Sequence, residues 1–173
     1  LMFSGIGFYH SVVTAFATAG TGGFSVKGAS IAGYHSPYVE YVVATFMLLF
    51  GVNFNLYFFM ILRKFKAVFQ DTELKVYLGM IIASITLICI NLLSTGKMAF
   101  ETAFRDSYFT VASIVSTSGF VTADFEQWSV FSKVILISLM FVGGMAGSTA
   151  GGMKVTRIVL YFKQMIRDIK QMV

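Results

Sequence analysis

A short segment that occurs twice constrains this chain most. Residues 10–24, HSVVTAFATAGTGGF, return 96 positions later as residues 106–120, DSYFTVASIVSTSGF. Ser11/Ser107, Thr14/Thr110, Thr21/Thr117, Gly23/Gly119 and Phe24/Phe120 match in register. Each copy is a mildly polar helical stretch that runs into a Thr-x-Gly-Phe turn. Each is followed by a polar loop and then a long apolar run. Any fold for this chain must therefore accommodate the same helix–turn–loop–helix unit two times.

The setting of the two units is a membrane. The chain is 57% hydrophobic and 12% charged, against about a quarter charged in soluble domains. The single Pro argues against long linkers, and the single cysteine, Cys89, excludes an intrachain disulfide or a cysteine-built metal site. Residues 38–62 predict a helix of about 37 Å, enough to cross a ~30 Å hydrocarbon core with tilt. Tyr38 and Tyr41 stand at its start, where interfacial aromatics belong, and Arg63, Lys64 and Lys66 end it. Residues 67–75 read as a short charged connection and 76–95 as a second span. Residues 8–20 and 104–117 are short helices; the latter, at about 21 Å, must re-enter on the side from which it came. Residues 130–171 would make a helix of about 63 Å, twice the core thickness. Five of the ten residues from Gly143 to Gly152 are glycine. Each costs about 1 kcal/mol relative to alanine in a helix, which predicts a break there. Asn53, Asn55 and Asn91 read as interhelical hydrogen-bonding groups, Cys89 as a small core residue and Trp128 as an interfacial anchor.

Charge sets the orientation. Arg63, Lys64, Lys66, Lys75, Lys154, Arg157, Lys163, Arg167 and Lys170 share one side with Asp71, Glu73 and Asp168. Lys27, Lys97, Arg105 and Lys133 share the other with Glu40, Glu101, Asp106, Asp124 and Glu126. The net +5 thus divides into +6 and −1. The positive side is cytoplasmic by the positive-inside rule, which puts 63–75 and 154–173 inside and both Gly-Phe turns outside. An orientation signal of this kind excludes nucleic acid as the reason for the basic balance and makes the lipid bilayer the expected partner.

Thr21-Gly22-Gly23-Phe24 and Thr117-Ser118-Gly119-Phe120 suit a cation filter. An ion that sheds its water needs protein oxygens, which successive backbone carbonyls supply. Glycine permits the dihedrals that aim them, threonine adds a hydroxyl, and the short helix turns its partly negative C-terminal end on the ion. Taken singly, each turn also reads as a helix C-cap followed by a loop; two aligned copies on one side favour pore loops. Asp124 and Glu126 lie just beyond the second turn and suit a cation-concentrating vestibule. Asp124 also suits a capping role with Gln127. Gly143, Gly144, Ala146, Gly147, Ser148, Thr149, Gly151 and Gly152, with Lys154 after them, predict a non-helical gate across the permeation path, in which Lys154 meets loop carbonyls or a carboxylate elsewhere. Close packing through Gly143, Gly147 and Gly151 is the structural alternative. A phosphate-binding loop fails, because Met153 separates Gly152 from Lys154, Val155 follows the lysine, and a membrane helix precedes the loop. His10 and His35 have no partner at metal-ligand spacing, and no nucleophile–base pair suggests an enzyme.

The segments Thr21–Ser25, Ser116–Asp124 through Trp128, and Phe141–Arg157 resemble the superfamily of potassium transporters that includes the bacterial Trk and Ktr membrane subunits, most of all the TrkH type. The resemblance implies an all-α integral membrane fold in which four helix–re-entrant pore loop–helix repeats surround a pseudo-fourfold pore. It implies that carbonyls near Gly23 and Gly119 line the filter, that 143–152 is the gating loop, and that potassium is the permeant ion with no bound cofactor. It further implies two more pore repeats in the same chain, a homodimer, and a cytosolic nucleotide-binding regulatory subunit at the inner membrane. On this reading the chain is an excerpt. Residues 1–66 hold the pore loop and inner helix of the second repeat. Residues 67–173 hold the next repeat, with outer helix 76–95, pore helix 104–117, filter 117–121 and broken inner helix 130–171. An ion-coupled secondary transporter with broken helices is the alternative, but such elements usually come as inverted pairs, whereas these two enter in parallel. A membrane enzyme is the weaker alternative, for want of acid–base residues.

Overall fold

A computed structural model describes residues 1–95 and 98–172. Lys97, counted above on the outer side, and Val173 lie outside the described residues. The described residues form α1 (Phe8–Ala19), α2 (Pro37–Phe50), α3 (Phe54–Ile61), α4 (Phe65–Gln70), α5 (Thr72–Ser94), α6 (Phe100–Val115), α7 (Val130–Val142) and α8 (Val155–Met172). Single 3-10 turns occupy Met2–Ser4, Ser30–Tyr34 and Phe125–Gln127.

Helix α5 alone among the described residues is long and apolar enough to cross a membrane by itself. Asp71 starts it: the side chain accepts the Leu74 N–H at 2.7 Å, and its charge meets the positive end of the helix dipole. The same Asp71 terminates α4. The charged connection expected at 67–75 is therefore helical on both sides of one capping residue, and the span begins at Thr72.

Helix α6 is short and buried almost all round. From Asp106 to Val115 only Tyr108 is more than marginally exposed. It packs against α5, α2 and α7, with Ala103, Ala112 and Ser113 keeping its surface narrow. Arg105 ties it to α2 through an ion pair, Nε to Glu40 Oε2 at 2.9 Å, with Asp106 Oδ1 at 3.8 Å. The first approach is electrostatic, without hydrogen-bond alignment. Three charges expected on the outer side are thus joined to one another, and the two acids are almost fully buried.

The single helix expected over residues 38–62 is broken. Helices α2 and α3 meet at 91°, separated by Gly51, Val52 and Asn53. Close approach of α5 accounts for Gly51: a Cβ there would sit 2.3 Å from the Tyr77 hydroxyl oxygen. Asn53 caps α3 by accepting the Asn55 N–H at 2.9 Å, rather than bonding to another helix. The break leaves the last carbonyls of α2 without partners four residues on, and Val52 N–H reaches only Leu49 O, at 3.0 Å. The Tyr77 hydroxyl donates to Leu48 O at 3.0 Å and the Tyr57 hydroxyl to Leu49 O at 2.6 Å. The Thr149 hydroxyl donates to Phe50 O at 3.2 Å, and the Met145 N–H to Gly51 O at 3.0 Å.

Three smaller expectations resolve differently. Asn91 does join helices: its Oδ1 accepts from Ser129 and, at 3.0 Å, from Ser132 of α7. Cys89 is a buried core residue. Trp128 is also buried, packed in the cluster of α5, α6 and α7 with Ala123 and Phe125, rather than exposed as an anchor would be. The polar loop before α7 folds it inward.

Tyr77→Phe keeps the packing and removes the donor to Leu48 O. The expected result is a loss of about 1–3 kcal/mol, read as a lower melting temperature of the full-length protein in detergent. An unchanged melting temperature would mean that this carbonyl has another donor.

Candidate functional site: two turns against one loop

The two turns share one backbone geometry. In the first, Gly22 N–H donates to Ala17 O at 2.9 Å and Thr21 N–H to Thr18 O at 3.2 Å. In the second, Ser118 N–H donates to Ser113 O and Thr117 N–H to Ile114 O, both at 3.0 Å. These are the paired six-to-one and five-to-two bonds of a Schellman C-cap, which ends a helix with a left-handed residue, usually glycine. Here that residue is Thr21 (φ 49°) or Thr117 (φ 57°). A β-branched residue at positive φ is strained. What compensates is the position of its hydroxyl, described below.

The turns also meet each other. Gly23 (φ +67°) lies against the second turn so closely that a Cβ would be 1.8 Å from Ser118 O. Gly119 (φ +78°) has open space at the same point. The loop after the first turn is bonded to the strand after the second: Ala32 N–H reaches Val121 O at 3.2 Å, and Val121 N–H reaches the Ser30 hydroxyl at 3.1 Å. Ser118 turns its hydroxyl into the scaffold, toward Met47 Sδ at 2.8 Å and the Ser113 carbonyl at 3.4 Å. Ser113 holds the strand from the other side by donating to Phe120 O at 2.7 Å. Phe120 wedges the turn against the scaffold, 3% exposed among Ile31, Val43, Met47 and Phe109. Phe24, its counterpart, is 78% exposed. The two aromatics are therefore not equivalent within these residues.

Between α7 and α8 the chain forms a compact loop, not a loose tether. Its limbs are stitched by Met153 N–H to Phe141 O, Lys154 N–H to Val142 O and Val155 N–H to Gly144 O, at 3.0–3.1 Å. Gly143 (φ +69°) and Gly152 (φ +82°) make this possible, since a Cβ on Gly143 would be 2.2 Å from Gly151 O. Met145, fully buried, anchors the loop in the core. Lys154 Nζ donates to Ala150 O within the loop. Ser148 donates to Met145 O at 2.7 Å, so its proton, like that of Thr149, is already committed within the protein.

The loop touches both turns and the α2–α3 break. The Thr21 hydroxyl proton is shared between Gly20 O at 2.8 Å and Thr149 O at 3.0 Å, and the Thr117 hydroxyl accepts the Gly151 N–H at 2.7 Å. Phe54 N–H donates to Gly147 O at 3.0 Å, beside the Met145–Gly51 bond. The sequence-derived filter and gate residues are thus brought into one site. Phe50, Gly51 and Phe54 belong to it and were not anticipated; Gly-Val-Asn inside an apolar run was the available signal. Asp124 and Glu126 are exposed beyond the second turn. Asp124 caps the following 3-10 turn, accepting from Glu126 N–H at 3.0 Å and Gln127 Nε2 at 2.9 Å.

Comparison with known proteins places these features in a family. A family model described as TrkH, cation transport protein, matches residues 5–172. The Trk system potassium uptake protein TrkH of Escherichia coli is 36% identical over 179 aligned positions, covering 100% of this chain and 36% of that protein. The E. coli Trk system potassium uptake protein TrkG is 31% identical, covering 98% and 35%. The crystal structure of the potassium transporter TrkH from Vibrio parahaemolyticus superposes with a TM-score of 0.89 at 30% identity, covering 99% of this chain and 37% of that one. The chain spans about a third of the length of these relatives.

Gly23→Ala and Gly119→Ala separate close approach from dihedral strain. Gly119→Ala is expected to lower stability by about 1–2 kcal/mol. Gly23→Ala should lower it substantially more, because the two turns must part. Equal melting temperatures for the two full-length variants would contradict the contact between the turns.

Proposed function

The chain belongs to the TrkH family of cation transport proteins, and from that premise we propose that it supplies two walls of a potassium-selective pore together with its gate. The observation that carries this reading is the pair of hydroxyl contacts from Thr21 and Thr117 to the glycine-rich loop. They join the two elements whose chemistry suits a filter and a gate.

A potassium ion exchanges its water for backbone carbonyls of Thr21, Gly22, Gly23 and Phe24 on one wall and Thr117, Ser118, Gly119 and Phe120 on the other. Helices α1 and α6 direct their C-terminal ends toward it. Asp124 and Glu126 raise the cation concentration in the vestibule. Two further repeats of the longer chain complete the ring, and the bond network at Gly23 and Val121 supports the adjacency of the second and third repeats. The turns face outward and residues 63–75 and 154–173 face the cytoplasm, in keeping with the charge asymmetry. The loop from Gly143 to Gly152, with Ala146, Gly147, Ser148, Thr149 and Gly151 near its tip and Lys154 bracing it, closes the path beneath the filter. Conduction requires that it leave Thr21 and Thr117. No covalent step is involved. A homodimer and a cytosolic nucleotide-binding subunit remain the partners that the family resemblance implies.

Gly119→Ser is expected to lower the potassium-to-sodium flux ratio of the full-length protein several-fold in proteoliposomes. Unaltered ratios would remove the filter assignment. Deletion within residues 145–150 is expected to raise basal flux, and flux at the wild-type level would remove the gate assignment.

A further inference from the structure

Glu73 stands in the first turn of α5, on the side opposite the filter turns by charge, and it is half-buried. One of its oxygens, Oε1, accepts two backbone N–H groups. Ala146 N–H, in the loop, lies at 2.7 Å, and Thr156 N–H, in the first turn of α8, lies at 3.1 Å. The donors are ten residues apart and flank the part of the loop that touches Thr21 and Thr117. We propose that Glu73 is the positioning residue that holds this loop closed and ties its release to movement of α8, an inference that rests on the gate reading above.

The physical case has three parts. The first-turn N–H groups of α8 need acceptors, since a helix cannot pair its own first four. Lys154 uses Val142 O, Val155 uses Gly144 O and Arg157 uses Lys154 O. Thr156 alone depends on a side chain, supplied by a helix that begins more than 80 residues earlier in the chain. Second, the carboxylate sits at the N-terminal ends of both α5 and α8, where both helix dipoles favour negative charge. Third, it has no Lys or Arg within ion-pair distance among the described residues, so its interactions are directed at these two backbone groups.

The shared acceptor gives the coupling. A shift of α8 that lengthens the Thr156 contact moves the oxygen that Ala146 uses, and the loop loses a charge-assisted bond on its inner side. Helix α8 is amphipathic and exposed along most of its length, and carries Arg157, Lys163, Arg167 and Lys170 against the single acid Asp168. A force applied to that helix therefore reaches the gate through one carboxylate.

The test is Rb+ uptake by the purified full-length protein in liposomes, without added nucleotide. Glu73→Ala is expected to raise basal uptake about tenfold, while Glu73→Gln, which keeps an acceptor oxygen at the same reach and loses only the charge, raises it far less. In a Cys89→Ala background, a Ser148→Cys probe should react faster with a membrane-impermeant thiol reagent in the Ala variant and not in the Gln variant. A structural role alone would not produce that split. Glu73→Asp, too short to reach both donors, replaces the Ala variant if that one does not run as a monodisperse protein, and it too should leak. Wild-type uptake in Glu73→Ala alongside raised uptake on deletion within 145–150 overturns the role of Glu73 and leaves the gate standing. Wild-type uptake in both overturns the gate as well. Equal leak in the Ala and Gln variants overturns the shared-acceptor mechanism.

Discussion

Helix α2 ends at a break with carbonyls that its own ladder leaves open, and the way they are paired organises the site. Where no water is at hand, an unpaired backbone group costs several kcal/mol. Tyr77 and Tyr57 serve Leu48 and Leu49; the loop serves Phe50 and Gly51 through Thr149 and Met145. The glycine-rich loop is therefore not a gap in α7–α8 that happens to lie nearby. It is the hydrogen-bonding complement of another broken helix. Each break supplies what the other lacks.

The same economy explains the threonines. A Schellman turn with glycine in the left-handed position would be less strained than one with Thr21 or Thr117. Glycine carries no hydroxyl, and it is the hydroxyls that reach Thr149 O and Gly151 N–H. Both turns accept the same strain and obtain the same kind of contact, one as donor and the other as acceptor. Their equivalence stops at the aromatic residue, where Phe120 packs into the scaffold of α2 and α6 and Phe24 stays exposed.

Much of this was legible in the sequence. The repeat identified the two turns because their chemistry lies in short-range spacing, Thr-x-Gly-Phe after a helix. Five glycines in ten residues identified the α7–α8 break because glycine propensity is local. The break at Gly51–Asn53 was hidden, because one glycine and one asparagine within an otherwise apolar run barely alter hydropathy. Its cause is the Tyr77 hydroxyl, which arrives from a helix distant in sequence. Trp128 follows the same logic: an aromatic beside a polar loop suits an interface, and only the fold of that loop turns it inward.

Composition, charge asymmetry and the internal repeat are properties of residues in order, and they sufficed to determine a helical membrane protein, two repeated helix–turn units and a broken helix. What joins those parts was decided only in three dimensions. Ser118 O against Gly23, Thr117 with Gly151, and Glu73 with Ala146 and Thr156 are contacts between residues 34 to 95 positions apart. Each involves at least one backbone group. A backbone N–H or carbonyl is present at every ordinary residue, so the sequence carries no mark of which ones will meet. Tertiary packing selects them.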